Sequence, residues 1–225
     1  MRRDVELLQR CARGDVAGAV RLYWFAPACL SLGRLQSMAD VNMSACAHDG
    51  VDVVRRPSGG RAVLHDGEVT YAVVCRVNDP DLGGDVLDAC SRIHQHVARG
   101  LAVLGVATVP RARGREERRD AVQGAGVADC FAHPAAHELL DAHGHKLVGS
   151  AQARLGQAML QHGSVMLDPP HAARYLRSAV AGPAGCGVGQ LAGRGVSRQE
   201  LVQALASGFQ QGLGSRLTTP LDTTL

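Results

Sequence analysis

Between residues 84 and 104 the apolar positions Val86, Cys90, Ile93, Val97, Leu101 and Leu104 recur at spacings of three and four, which gathers them into one stripe along a helix. Upstream the runs are shorter and β-like. Residues 19–36 read as an extended, half-buried strand followed by a short turn at Pro27, and further β-type runs are expected at 51–55, 62–65 and 69–77. Asp66-Gly67, between the last two, suits the positive φ angles of a tight hairpin turn. Beyond the helix, residues 111–126 form a polar, glycine-containing segment with a mixed charge run, best read as a solvated loop. Three more strands are expected at 137–140, 146–155 and 158–167, with turns in Asp141-Ala142-His143-Gly144-His145 and at Gly156. Glycines between 182 and 195 predict a mobile connection, and Ser197 with Glu200 predicts a capped C-terminal helix. Strands joined as hairpins, with helices between and after them, predict an α+β fold: a largely antiparallel sheet flanked by helices.

A chain of 225 residues with 46% hydrophobic content can bury a sizeable core, and we read residues 1–225 as a single domain. No apolar run approaches the roughly 20 residues needed to span a bilayer. The N-terminal residues also lack the apolar centre of a secretory signal, so a cytoplasmic protein without membrane attachment is expected. The seven cysteines show no Cys-x-x-Cys pair and are odd in number, which favours reduced thiols serving mostly as small core residues. A formal charge of +3 and an aromatic content of 3% argue against a nucleic-acid-binding surface.

Charge becomes informative at one position. The chain holds 24 basic residues, and all but Lys146 are arginine. Lysine presents a compact charge and can exchange its proton, whereas arginine stays protonated. A cysteine attacks as its thiolate, which a neighbouring ammonium favours, so Cys130 and Lys146 form a candidate catalytic pair; the alternative is a lysine retained by chance. Gly149-Ser150-Ala151 leaves room for a substrate chain against the backbone. The stretch Arg55-Arg56-Pro57-Ser58-Gly59-Gly60-Arg61 lacks the lysine and hydroxyl of a phosphate-binding loop. Its composition reads first as a turn between strands, and its amides could also face an anion or a carbonyl. Cys130, His133, His137, His143 and His145 are zinc-ligating residue types, but their spacing matches no standard motif, and no metal or other cofactor is expected. His94 and His96, two apart on a helix, do not share a face. Gly185-Cys186-Gly187-Val188-Gly189 lacks the strand and acidic partner of a dinucleotide site and reads as a loop.

The blocks at 55–66 (RRPSGGRAVLHD), 68–71 (EVTY), 128–131 (ADCF), 145–152 (HKLVGSAQ) and 160–164 (LQHGS) resemble, in the same order, those of the lipoate-protein ligase and octanoyltransferase family. The similarity runs from about residue 4 to about residue 217. ATP-dependent ligases of the family typically carry a third glycine where Arg61 stands, and His-Asp-x-Gly-Asn where this chain has His65-Asp66-Gly67-Glu68. The pattern is closer to the cysteine-dependent octanoyltransferases, and the resemblance implies a biotin/lipoate-ligase-like fold. It also implies an acyl group carried on Cys130 and Lys146 lowering the pKa of that thiol. The donor would be acyl carrier protein. The acceptor would be a lipoyl-domain protein such as glycine cleavage H protein or a 2-oxoacid dehydrogenase E2. Arg56, Ser58, Gly59, Gly60, Arg61 and His65 would line the acyl and carbonyl end, with Gly149, Ser150, Ala151, Gln152 and His162 as further substrate contacts. An amidotransferase between lipoyl domains, an ATP-dependent ligase and a non-catalytic acyl binder are the alternatives. Departures from the family pattern are Ala72 in place of a serine, an abbreviated N-terminal helix and an early C-terminus.

Overall fold

The computed structural model describes residues 1–110, 138–168, 172–177 and 186–217. Its main sheet has six strands in the order β1-β5-β9-β8-β7-β6: β1 (Gly18–Tyr23), β5 (Glu68–Arg76), β6 (Val109–Pro110), β7 (Leu139–Leu140), β8 (Lys146–Leu155) and β9 (Ala158–Met166). Every neighbouring pair in it is antiparallel. The two central strands, β5 and β9, are buried almost throughout. Such burial on both faces follows from alternation in β5: Val69, Tyr71, Val73 and Cys75 join the larger core with Ile93, Val97, Leu205 and Phe209, while Ala72 and Val74 pack with Leu8 and Cys11. The larger core sits under α3 (Val86–Val103) and α5 (Arg198–Leu213), and the other face carries α1 (Arg2–Arg13). Asp4 anchors α1 by accepting hydrogen bonds from Arg21 and, at 2.6 Å, from the Tyr23 hydroxyl.

A second sheet of three strands has the order β3-β2-β4: β2 (Cys29–Leu32), β3 (Asp52–Arg55) and β4 (Val63–His65). β2 runs parallel to β3 and antiparallel to β4, with α2 (Met43–Asp49) leading into β3. The α+β, largely antiparallel expectation is therefore met, and three local expectations are corrected. The single strand at 19–36 is two strands in different sheets, because the chain turns through residues 24–28 and leaves the main sheet. Asp66-Gly67 does bend at Gly67 with φ +63°, yet it joins two sheets instead of closing a hairpin, since β4 pairs with β2 and β5 with β1 and β9. Of the connection expected to be mobile, residues 182–185 lie outside the described residues, and the rest contains α4 (Val188–Ala192), with Val188 fully buried. The capping box at Ser197 and Glu200 is formed as expected. The polar segment at 111–126 lies outside the described residues. Among the described residues no helix is long and apolar enough to cross a membrane.

Candidate active site

Residues of both sheets line a hollow: Ser31, Val63 and His65 from the smaller sheet, Gly149, Ser150, Ala151, His162 and Ser164 from the larger, with Arg56 between them. His65 is fixed on every side. Its Nε2 lies 2.8 Å from Ser31 Oγ, its Nδ1 lies 3.2 Å from Ser164 Oγ and 3.4 Å from Glu68 Oε1, and Phe25 stacks on the ring at 4.3 Å. Thr70 Oγ1 in turn donates to the Glu68 carboxylate at 2.7 Å. Buried polar groups held this way keep one orientation, because each would lose a partner by moving.

The glycine-rich stretch is organised from within. Arg56, itself buried, donates to the carbonyl oxygens of Ser31 at 2.9 Å, Gly59 at 2.9 Å and Arg61 at 2.5 Å. These bonds tie the loop to β2, and Gly60, with φ +90°, lets the loop turn. A side chain on Gly33 at the end of β2 would collide with the Gly60 carbonyl, so the two segments pack backbone to backbone. Ser58 Oγ meets His162 Nε2 at 2.5 Å. Burial, followed by the charge of Arg56 and the proximity of His65, lowers the His162 pKa to about 3, so its ring is neutral at physiological pH.

Arg56, His65, Gly149, Ser150, Ala151 and His162 therefore converge on one hollow, and Ser58 supports it from behind. Gly59, Gly60 and Arg61 stand apart from its lining, and the first and last act through carbonyls that accept from Arg56. Gln152 faces elsewhere: its amide donates to Val86 O at 2.8 Å and Gln161 Oε1 at 2.7 Å. Alternation along β8 turns the side chains of both Ser150 and Gln152 toward α3, where Ser150 Oγ meets His94 and Tyr71. Gln152 therefore stands outside the lining of the hollow, and its amide orients Gln161.

Lys146 opens β8 and is only 2% exposed; its Nζ lies 2.7 Å from the equally buried Glu138 Oε1. The ammonium thus has a carboxylate partner to which no motif pointed. Cys130 lies outside the described residues, as do His133 and His137. His143 and His145 have ring centroids 6.2 Å apart, with His145 Nδ1 bonded to Asp141 Oδ2 at 2.9 Å. Among the described residues no three His, Cys, Asp or Glu side chains are grouped to hold a metal.

Sequence reasoning also missed a buried polar cluster under α3. His94 Nε2 lies 2.7 Å from Ser150 Oγ and 3.1 Å from the Tyr71 hydroxyl, and Tyr71 meets Ser150 at 2.5 Å. The pairing of His94 with His96 as a two-apart doublet hid this, because each ring serves a different neighbour: His96 stacks on Phe209 at 5.4 Å. The available signal was a polar ring beside the apolar stripe, with His94 four residues after Cys90 and three before Val97.

A family model described as the lipoyl protein ligase A/B catalytic domain matches residues 1–210. The chain is 38% identical to octanoyltransferase LipM of Kyrpidia tusciae over 219 residues, covering 92% of this chain and 79% of that protein. Among solved structures it is similar to lipoate-protein ligase A bound with ATP, at a TM-score of 0.68 and 20% identity, covering 97% of this chain and 80% of the other. It is also similar to a bi-partite lipoate protein ligase from Thermoplasma acidophilum, described with its E2 lipoyl domain, at a TM-score of 0.65 and 20% identity. That likeness covers 99% of this chain and 81% of the other. At these identities the structural likeness establishes the fold, and the sequence relative narrows the branch.

Proposed function

The chain belongs to the lipoyl protein ligase A/B catalytic-domain family, and from that premise we propose that it is an octanoyltransferase of protein lipoylation. Octanoyl-acyl carrier protein is the donor and the lysine of a lipoyl domain the acceptor, with residues 1–225 acting as one catalytic domain in the cytoplasm. In the first step the Cys130 thiolate attacks the thioester carbonyl. The tetrahedral intermediate collapses, the carrier's thiolate leaves and takes up a proton, and the octanoyl group stays on Cys130. In the second step the neutral amine of the acceptor lysine attacks this new thioester, Cys130 leaves as thiolate, and the nitrogen gives up its proton to form the amide. Exchange of one thioester for another is nearly balanced and amide formation from a thioester is downhill, so neither step requires ATP.

The observation that carries this reading is the burial of the chain's single lysine at the head of β8, beside a carboxylate. Lysine rather than arginine suits a site where charge must be compact and a proton must be exchanged. The octanoyltransferase named above, 38% identical, supports the same branch. Arg56 orders the glycine-rich loop, Ser58 holds His162, Gly149, Ser150 and Ala151 leave space along β8 for the eight-carbon tail, and His162 stays neutral and so adds no second positive charge beside Arg56.

The ligase reading keeps one point in its favour, the structural likeness to a ligase bound with ATP. Purified protein should transfer octanoyl from octanoyl-acyl carrier protein to a lipoyl domain without nucleotide. Transfer only from free octanoate with ATP and magnesium would make it a ligase. Transfer only from an octanoylated lipoyl domain would make it an amidotransferase.

A further inference from the structure

A bulge at the head of β8 decides which way Lys146 points. Leu139 of β7 pairs with Val148 of β8, but Leu140 pairs with Lys146, so the register slips by one residue and leaves Leu147 over. Leu139, Leu147 and Val148 all pack into the larger core under α3. An extra residue in one strand breaks alternation, and Lys146, opposite Leu140, therefore turns to the other face of the sheet. Glu138, next to Leu139 in the chain, turns to that face with it. Gly149 and Ala151 line the hollow from the same side. Unbroken alternation would have placed Lys146 with Val148 and Ser150 beneath α3, away from the hollow.

On that face Lys146 Nζ lies 2.7 Å from Glu138 Oε1, and neither side chain is more than 4% exposed. Burial presses an amine to give up its proton, whereas a carboxylate at contact distance presses it to keep one. At this depth little water screens the pair, so the carboxylate acts strongly. Several described groups around the pair hold one protonation state at neutral pH. The charge of Glu138 reaches Cys90 on α3 and Tyr71 on β5; burial is the larger effect at both, raising the Tyr71 hydroxyl and pushing the Cys90 thiol up to about 12, so both keep their protons. Cys186, whose N–H donates to Lys146 O, is pushed up to about 12 by burial and then by Asp141. Burial opposes the charge on Asp141, but hydrogen bonds from His145 and His143 hold it below the usual carboxylate range. His145, bonded to Asp141, is itself exposed, where water screens its charge.

We propose that Glu138 is a positioning residue for Lys146, holding the amine on the hollow's face in its charged form and so setting the pH range in which acyl transfer runs. The proposal rests on the acyl-transfer reading, in which that ammonium favours the attacking thiolate. Glu138 acts through Lys146 and does not touch the acyl group.

Lys146 is the chain's one lysine, so lysine labelled with ¹³C at Cε gives the full chain a single side-chain signal that reports its charge. In the wild-type protein that signal should be an ammonium at neutral pH. In Glu138→Gln it should lose its proton about one pH unit or more lower, and Glu138→Asp, which keeps the negative charge, should restore most of the difference. Single-turnover octanoylation from octanoyl-acyl carrier protein should be about tenfold slower or more in Glu138→Gln at neutral pH, with its pH profile moved to lower pH. Lost packing alone would slow the reaction without moving the profile. A neutral amine in the wild type at neutral pH would overturn the proposal, as would a Glu138→Gln titration and profile that coincide with those of wild type. Should Glu138→Gln not fold, Glu138→Asp decides: a lysine still charged at neutral pH and an unmoved profile are expected, and a displaced profile contradicts the assignment. If the wild type takes up no octanoyl group while the lysine titrates as expected, the acyl-transfer reading fails and the control of Lys146 by Glu138 stands.

Discussion

Lys146 and Gly163 show how much one position can carry. At 146 the side chain is buried against Glu138 at 2.7 Å, and a guanidinium there would be larger and would hold its proton throughout the reaction. Lys146→Arg is therefore expected to slow octanoyl transfer about 100-fold or more, measured as single-turnover acylation, within the range proton-exchanging groups usually contribute. Lys146→Met breaks a buried ion pair and is expected to cost on the order of 3 kcal/mol in denaturant unfolding, a loss that a surface lysine would not produce. At 163 the demand is for space. Gly163→Ala would bring a methyl group to 2.6–2.7 Å from the Tyr71 hydroxyl and Ser150 Oγ and should destabilise the protein by about 1–3 kcal/mol in denaturant unfolding; an unchanged midpoint would show that the strands give way without cost.

At the scale of elements, the loop after β3 owes its shape to Arg56, whose guanidinium reaches carbonyls on β2 and on both sides of the Gly59-Gly60 pair. Arg56→Ala removes the charge-assisted bonds to these three carbonyls and to Ser31 Oγ and is expected to destabilise the protein by about 2–3 kcal/mol and to raise the KM for the acyl donor, as calorimetry and kinetics would show. The elements that could be read in advance were those with a clear period. β8 begins and ends where its pattern does, and α3 follows its stripe, although Val86 at its start is 51% exposed. Sheet membership was not legible, because nothing local distinguishes a turn that closes a hairpin from one that crosses between sheets; Asp66-Gly67 has the composition of the first and the role of the second. The lining of the hollow was legible where blocks of sequence marked it, at Arg56, His65 and Gly149–Ala151. It was hidden where the contribution is a single side chain brought from far away, as with Ser31, Tyr71, His94 and Glu138. Those contacts depend on strand register and helix docking, which adjacent residues do not encode.

Across the whole molecule, the two sheets enclose His162, whose protonation links stability to pH. His162 has a folded pKa near 3 against an ordinary value of 6.5, so between those values the unfolded chain binds a proton that the native state refuses. Its contribution is complete above pH 6.5 and is lost as pH falls toward 3, with a slope of about 1.4 kcal/mol per pH unit from this one group. His162→Gln should flatten that part of the acid unfolding profile while leaving the neutral region less affected, and an unchanged slope would mean that the ring is not held neutral. The hollow these sheets create serves chemistry only if an acyl group becomes attached to the protein during turnover. Intact-protein mass spectrometry after incubation with octanoyl-acyl carrier protein tests this most directly. A single octanoyl adduct that maps to Cys130 and is absent from Cys130→Ser is the expected result, and full transfer activity in the Cys130→Ser protein would contradict it.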